Sequence, residues 1–253
     1  MCTHTYTLIY EGKSKRVYVK NPNELILEFK DEVTARDGAL RAFIRGKGII
    51  NARVSAYFFS ALSRRGIDTH FLDYDGVRRM TVKKLRMLPL EVIVRNYAYG
   101  SQLKRMPLLK PLQELNPPVV EFHYKDDSLH DPLIIVDDII NSGIVNYEEL
   151  NLIIKTSLRI NDILREIFSE AKLKLIDFKV EFGRDKDNRL ILADEISGDT
   201  FRVIDENGRH LDKEVFRRTG DPKTLVNAYS ELCKKLGIKV DDVDFHGWGD
   251  YHQ

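Results

Sequence analysis

The chain has 253 residues, 43% of them apolar, enough for one to two domains with a core that needs no disulfides. The formal net charge is +1, with basic and acidic residues interspersed, which excludes a global basic field for nucleic acid and an acidic tail. No apolar run approaches the roughly 18 residues of a membrane span, and Met1–Tyr6 lacks a charged and then apolar leader.

In chain order, Tyr6 to Lys30 reads as β structure. Leu8-Ile9-Tyr10 and Arg16-Val17-Tyr18-Val19 flank the turn Gly12-Lys13-Ser14, and Asn21-Pro22-Asn23 turns into Glu24–Phe29. Ile50, Val54, Tyr57, Phe58, Ala61 and Leu62 recur at helical steps, so a helix is expected after Gly48, ending at Gly66. Met80 to Tyr97 reads as strand-like runs interrupted at Met87-Leu88-Pro89, the expected lobe boundary, and Met106 to Pro118 reads as irregular. A second long helix is expected from Tyr147 to Ala171, capped by Asn146 with Glu149 three residues on. Ile176, Phe178, Val180 and Phe182 alternate with Asp177, Lys179 and Glu181, a polar turn follows, and Leu190–Glu195 returns as the partner strand. A final helix is expected from Pro222 to Leu236. Early strands, intervening helices and a late hairpin indicate an α+β fold with largely antiparallel sheet.

Several segments carry groups capable of chemistry. If register places Glu181 and Asp194 diagonally on one face of the hairpin, two carboxylates roughly 7–8 Å apart at Cα can share one cation, as Mg²⁺ bound with nucleotide phosphates requires. A solvated strand face with a salt bridge through Lys179 suits the same residues, and spacing alone leaves both readings open. Gly12-Lys13-Ser14 is not a Walker A loop, because Thr7 stands where that motif needs Gly. A glycine turn with Lys13 and Lys15 can still cover nucleotide phosphates, as the glycine-rich loop of kinases does; an exposed basic turn has the same composition. Arg95, leaving the apolar run Val92–Val94 with Gly100-Ser101 behind it, suits anion capture, as does Arg202 after Ser197-Gly198-Asp199. Cys2 and Cys233 lie in no metal-ligand or redox spacing, the pattern of reduced thiols in a cytoplasmic protein.

Taken together, Tyr10–Lys15, Asp37-Gly38, Gly46-Lys47-Gly48, Val82–Leu85 through Glu91, Val94–Asn96 with Gly100-Ser101, Glu114–Pro118, Asp126–Pro132, Asp177–Gly183, Asp194–Asp199 and Asp212-Lys213 with Phe216-Arg217 resemble the SAICAR synthetase family. The resemblance implies a two-lobed fold related to kinase-like and ATP-grasp proteins. A β-rich, ATP-covering lobe over residues 1–88 would lie above a mixed substrate- and metal-binding lobe over 89–253, with ATP in the cleft. It implies an ATP-dependent ligase that joins carboxyaminoimidazole ribotide (CAIR) to L-aspartate, with ATP and Mg²⁺, in a cytoplasmic homo-oligomer, commonly a dimer, without nucleic acid or membrane partners. By the same resemblance, Gly12, Lys13, Lys15 and Lys83, with the backbone of Arg86, Met87 and Leu88, bind the nucleotide, and Glu181 and Asp194 bind the metal. Arg95, Ser101 and Arg202 take the ribotide phosphate. Asp37, Asp177, Lys179, Asp199, Asp212, Lys213 and Arg217 line the reacting side, with Lys13, Asp177, Lys179, Asp199 and Lys213 as the catalytic set. The loop Lys125–Asp131 would wall the aspartate pocket. A small-molecule kinase with the same ATP lobe, or a non-catalytic nucleotide sensor, are the rival readings; the first needs no aspartate, and the second has no need of intact phosphate and metal groups. The segment after Leu236 matches no general pattern of the family.

Overall fold

The alternating segment at the start of the chain forms three antiparallel strands, β1 (Thr7–Glu11), β2 (Lys15–Asn21) and β3 (Glu24–Phe29), in a computed structural model that describes residues 6–36, 38–245 and 248–249. Asp37 and Cys2 lie outside the described residues. Contacts divide the chain into two compact units. The first comprises residues up to Leu85, the short stretch Glu195–Asp199 and residues from Leu211 onward; the second comprises Arg86–Asp194 and Thr200–His210. The expectation drew two continuous lobes, 1–88 and 89–253. The units are instead discontinuous, because Glu195–Asp199 and the C-terminal helices pack with the N-terminal segment.

In the first unit, β6 (Phe71–Tyr74) and β7 (Arg79–Lys83) complete an antiparallel sheet in the order β1-β2-β3-β7-β6. Helix α1 (Lys47–Arg64) lies on β3, β6 and β7 and buries Ile50, Val54, Phe58, Ala61 and Leu62 of the expected stripe; Tyr57 is only partly buried, and Phe59 is buried as well. Gly48 in its first turn is required by close approach: a Cβ there would meet Phe29 O at 2.4 Å. Strands β4 (Glu32–Ala35) and β5 (Leu40–Ile44) form a second small sheet with β14 (Trp248–Gly249). Helices α5 (Glu214–Thr219) and α6 (Pro222–Lys235) follow, α6 beginning with Asp221 as N-cap and Pro222 in the first turn, where its missing N–H is harmless.

In the second unit, β8 (Arg86–Tyr97), β9 (Glu114–Tyr124), β10 (Leu133–Ile134), β11 (Lys174–Arg184) and β12 (Leu190–Ala193) order as β10-β9-β8-β11-β12. Strand β13 (Phe201–Ile204) pairs with the first half of β11 and β12 with the second half. Two short helices, α2 (Ser101–Arg105) and α3 (Val136–Asn141), accompany α4 (Tyr147–Glu170). Asn146 caps α4 as expected: its Oδ1 accepts from Glu149 N at 2.8 Å, and Glu149 Oε2 accepts from Asn146 N at 3.1 Å. Leu150, Ile153, Ile160, Leu164 and Ile167 are buried, and α4 packs on β8 and β11.

Two proline segments differ from expectation. Strand β8 runs unbroken through Met87-Leu88-Pro89, because the ladder to β11 is irregular between Glu181 and Gly183. Pro89 sits opposite that irregularity and forfeits no ladder donor. Likewise Asn116-Pro117-Pro118 lies within β9, where the pairing with β8 shifts between Arg95 and Tyr97. The irregular stretch therefore ends at Gln113, before β9 begins. Among the described residues, no helix is long and apolar enough to cross a membrane.

Candidate active site

The sheet of the second unit has two unlike faces. Val92, Val94, Ile176, Phe178, Val180 and Phe182 are buried on the face carrying α4. The period of two puts Asp177, Lys179 and Glu181 of β11 on the other face. Across the ladders they meet Arg95 and Glu91 of β8 and Arg202 of β13: Asp177 is opposite Arg95 and Arg202, and Glu181 is opposite Glu91. A charged row along a central strand is costly unless each member is paired, and here each is.

At one end, Asp177 Oδ2 accepts from Arg95 Nη1 and from Arg202 Nη1, each at 2.7 Å. Arg95 Nη2 donates to Ser101 Oγ at 3.2 Å. Arg95 is 2% exposed, and its Nε lies 2.9 Å from Glu121 Oε1. The Arg202 side chain is 20% exposed and lies over the Tyr99 ring. Glu121 also meets Arg105 and lies 3.6 Å from His123 Nε2. Burial works to raise the Glu121 carboxyl, but His123, Arg95 and Arg105 outweigh it and hold it at about 2.

At the other end, Lys179 Nζ pairs with Glu91 and lies 3.4 Å from Glu181 Oε1, while Lys125 Nζ pairs with Glu181 Oε2. Burial opposes the Lys179 charge, yet Glu181, Glu91 and Asp194 together hold its pKa above that of an ordinary lysine. Burial and then the charge of Asp194 push the Glu181 carboxyl up, against Lys179 and Lys125. Asp194 is thus close to Glu181, but not for the expected reason. The register pairs Glu181 with Ala193, so a regular strand would send Asp194 to the opposite face. Asp194 instead takes a left-handed conformation with φ of 64° just beyond β12, outside regular strand geometry, and its charge acts on Glu181.

The first unit holds a separate charged cluster around Glu195–Asp199. Glu195 is buried; its Oε1 accepts from Lys15 Nζ at 2.6 Å and Ser14 Oγ at 3.1 Å, and its Oε2 accepts from Ser197 Oγ at 2.6 Å. Asp199 Oδ2 accepts from Lys47 Nζ and Oδ1 from Tyr229 Oη, both at 2.6 Å. Burial would raise the Asp199 carboxyl, but Lys213 and Lys47 hold it well below the usual range. Burial in turn lowers Lys213 to about 8, despite Asp199 beside it. Gly198 fits only as glycine, since a Cβ would meet Tyr229 Cε1 at 2.5 Å. Asp212 is fully buried, its Oδ1 accepting from Glu214 N at 2.7 Å, and Arg217 lies 3.4 Å from Glu214.

The structure therefore groups Arg95, Ser101, Asp177 and Arg202; Lys179, Glu181 and Asp194; and Lys15, Asp199 and Lys213 with Glu195. Gly12 and Lys13 lie in the β1–β2 turn, where Gly12 N donates to Lys15 O at 2.8 Å. Lys83 is not drawn into these groups; its Nζ donates to Thr69 O at 3.0 Å. Arg86 reaches Asn188, Met87 is exposed and Leu88 buried, while the ladder from β8 to β9 starts only at Leu90. Sequence reasoning gave no role to Glu91, Glu121, His123, Lys47 or Tyr229, and placed Lys125 only in the loop expected to wall the aspartate pocket. Glu91 carried a usable signal, an acid inside the apolar run Leu90–Val94; Tyr229 carried none, because it occupies a core position of its helix.

Comparison with known proteins identifies the family. The SAICAR synthetase family profile matches residues 8–236. Phosphoribosylaminoimidazole-succinocarboxamide synthase of Caldivirga maquilingensis is 54% identical over 231 residues, 91% of this chain and 95% of its own. The enzyme of the same name from Pyrobaculum aerophilum is 49% identical, covering 90% of this chain and 95% of its own. A solved SAICAR synthetase in complex with ADP superposes with a TM-score of 0.87 at 44% identity, covering 92% of this chain and 99% of that one. The α+β fold with its antiparallel sheets is that of these enzymes, and the chain belongs to the SAICAR synthetase family, ligases of purine biosynthesis.

Proposed function

We propose that the protein joins the carboxylate of CAIR to the amine of L-aspartate, using ATP and releasing SAICAR, ADP and phosphate through an acyl phosphate. The observation that carries this reading is the charged row on β11. Its Asp177 end gathers two guanidinium groups and a serine hydroxyl, and its Glu181 end gathers three carboxylates and two lysines. Four residues of strand separate the ends, roughly 13 Å by strand rise. A ribotide has a phosphate at one end and a carboxylate-bearing ring at the other, and such a row suits both. Arg202, Ser101 and Arg95 are assigned to the phosphate, with Asp177 holding the two guanidinium groups in place. Lys179 is assigned to the reacting carboxylate. Asp37, Asp199, Asp212, Lys213 and Arg217 are assigned to the imidazole and aspartate side.

Glu181 and Asp194 fit a hard divalent cation. Both are oxygen donors, and the charge of Asp194 disfavours ionised Glu181, a conflict that a cation relieves. Among the described residues no group of three or more acidic, His or Cys ligands forms, which matches Mg²⁺ held by one or two carboxylates plus nucleotide phosphates. When bound there, the ion neutralises charge on the phosphates. Gly12, Lys13, Lys15 and Lys83 are assigned to the nucleotide phosphates, and the backbone of Arg86, Met87 and Leu88 to adenine. A homologous SAICAR synthetase is solved with ADP, which supports ATP as substrate.

A carboxylate resists attack by an amine because its oxygen is a poor leaving group; phosphorylation replaces that leaving group with phosphate. The protein's share is positioning and charge neutralisation. The test labels the CAIR carboxylate with ¹⁸O and follows the reaction with MgATP and L-aspartate. One labelled oxygen per phosphate released is the expected result. Unlabelled phosphate accompanying SAICAR overturns the acyl phosphate, and ADP formation with phosphate retained on a product points to a kinase.

A further inference from the structure

The first unit brings three lysines, Lys15, Lys47 and Lys213, to two carboxylates, and only two of the lysines find partners. Lys15 pairs with Glu195 and Lys47 with Asp199, each at 2.6 Å. Lys213 Nζ forms no hydrogen bond or ion pair among the described residues, although its residue is only partly exposed. It is placed by its backbone, whose N donates to Gly198 O at 3.0 Å, so its stem is tied to the glycine turn that carries Asp199. An enclosed amine that a nearby carboxylate attracts but does not hydrogen-bond is costly as an ammonium ion and available as a neutral base.

The other groups of the cluster are already engaged. Asp199 receives Lys47 on one oxygen and Tyr229 on the other, and Glu195 receives Lys15, Ser14 and Ser197. The Tyr229 hydroxyl is committed to Asp199 and raised well above its ordinary pKa by burial. We propose that Lys213 Nζ is the proton acceptor for the α-ammonium group of L-aspartate; the assignment rests on the ligase reading given above. One proton passes from the α-ammonium to the neutral Nζ. The freed nitrogen lone pair forms the C–N bond to the acyl carbon, the C–O bond to phosphate breaks, and phosphate leaves with the electron pair. The second nitrogen proton leaves with the phosphate, giving amide and hydrogen phosphate, and Lys213 returns its proton to solvent. The charged and titratable groups facing Lys213 are Asp199 and Glu195 from the 195–199 stretch, Lys47 from α1, Arg217 from α5 and, through Asp199, Tyr229 from α6. Burial with Lys47 and Arg217 lowers Lys213 to about 8 despite Asp199 and Glu195, so a useful fraction is neutral at the pH of the reaction.

The experiment separates the two nucleophiles. Wild type, Lys213→Met and Lys213→Arg are given CAIR and MgATP with either L-aspartate or hydroxylamine, a nucleophile already unprotonated at neutral pH. Both variants are expected to lose about 10²–10⁴-fold in aspartate-dependent kcat, a loss at least about tenfold larger than the loss in hydroxamate formation. An acidic limb is expected near 8 in the wild-type aspartate-dependent pH profile, where Lys213 titrates, and should be absent in Lys213→Arg. Equal loss with both nucleophiles, or retention of aspartate-dependent turnover in either variant, overturns the proposal. Thermal melts identify a variant that has failed to fold, and the second variant then decides. A wild type that releases no ADP with CAIR overturns the ligase reading itself, an outcome visible before any variant is tested.

Discussion

Arg95 and Arg202 share one carboxylate, yet their removal should have different consequences. Arg95 is buried between Asp177 and Glu121, so Arg95→Ala leaves two buried acids short of a cation and should destabilise by about 3–5 kcal/mol. Arg202 is partly exposed, and its loss leaves Asp177 still paired. Arg202→Ala should therefore raise the KM for CAIR by one to two decades, from the loss of about 1.5–3 kcal/mol of charge-assisted contact. Its melting temperature and its KM for ATP should stay near wild type. A KM change for ATP alone would show the phosphate pocket to be elsewhere. Glu181 presents the reverse balance: burial and Asp194 penalise its ionised form, so at neutral pH it weakens the fold. Glu181→Gln should lower kcat by about 10²–10³-fold with no fall in melting temperature, the signature of a group retained for function rather than stability. A clear loss of stability with activity intact would make it a structural ion pair.

Among the elements, α4 shows a local signal read correctly, because a capping box needs only residues three apart. Asn146→Ala should cost about 1 kcal/mol, measured as a shifted urea midpoint at constant slope. The effect should be visible although Glu149 also pairs with Arg184 at 2.8 Å, since that pair survives the substitution. The Ser197–Asp199 turn shows what no local signal contains. Gly198→Ala drives a methyl into the hydroxyl end of the Tyr229 ring, the end held by the hydrogen bond to Asp199, and such overpacking should cost about 1–3 kcal/mol. Denaturation of this variant with no change in midpoint would mean that the ring can move aside.

The molecule as a whole should be sensitive to acid through its paired carboxylates. Glu121 falls from 4.5 to about 2 on folding, so its contribution is complete above about 4.5 and is lost as pH falls towards 2. Asp199, also held low by lysines, acts in the same direction. Melting temperature should therefore decline steeply below about pH 4.5, and Glu121→Gln should decline less steeply from a lower neutral value. An unchanged acid limb in that variant would remove Glu121 from the account. Lys213 acts in the same direction over a higher range: its folded pKa of about 8 lies below the 10.5 of a free lysine, so stability should rise as pH increases between those values.

The sequence by itself determined the parts that depend on short range. Periodicity located α1, α4 and α6 to within a few residues, alternation located β1 to β3 and the β11–β12 hairpin, and the ordered set of motifs identified the family. These features are legible because a helical stripe, a cap or a strand face is set by residues a few positions apart. The tertiary structure alone decided the rest. The prolines of β8 and β9 sit at register shifts whose harmlessness depends on the partner strand. Asp194 leaves strand geometry in a left-handed turn, and its charge acts on Glu181 although strict strand parity would separate them. Lys47 meets Asp199 across 152 residues of chain, so that among the described residues Lys213 faces the same carboxylate without a hydrogen bond to it. Which charge neutralises which is a property of distances between remote segments, and electrostatic pairing in a buried site is decided by those distances.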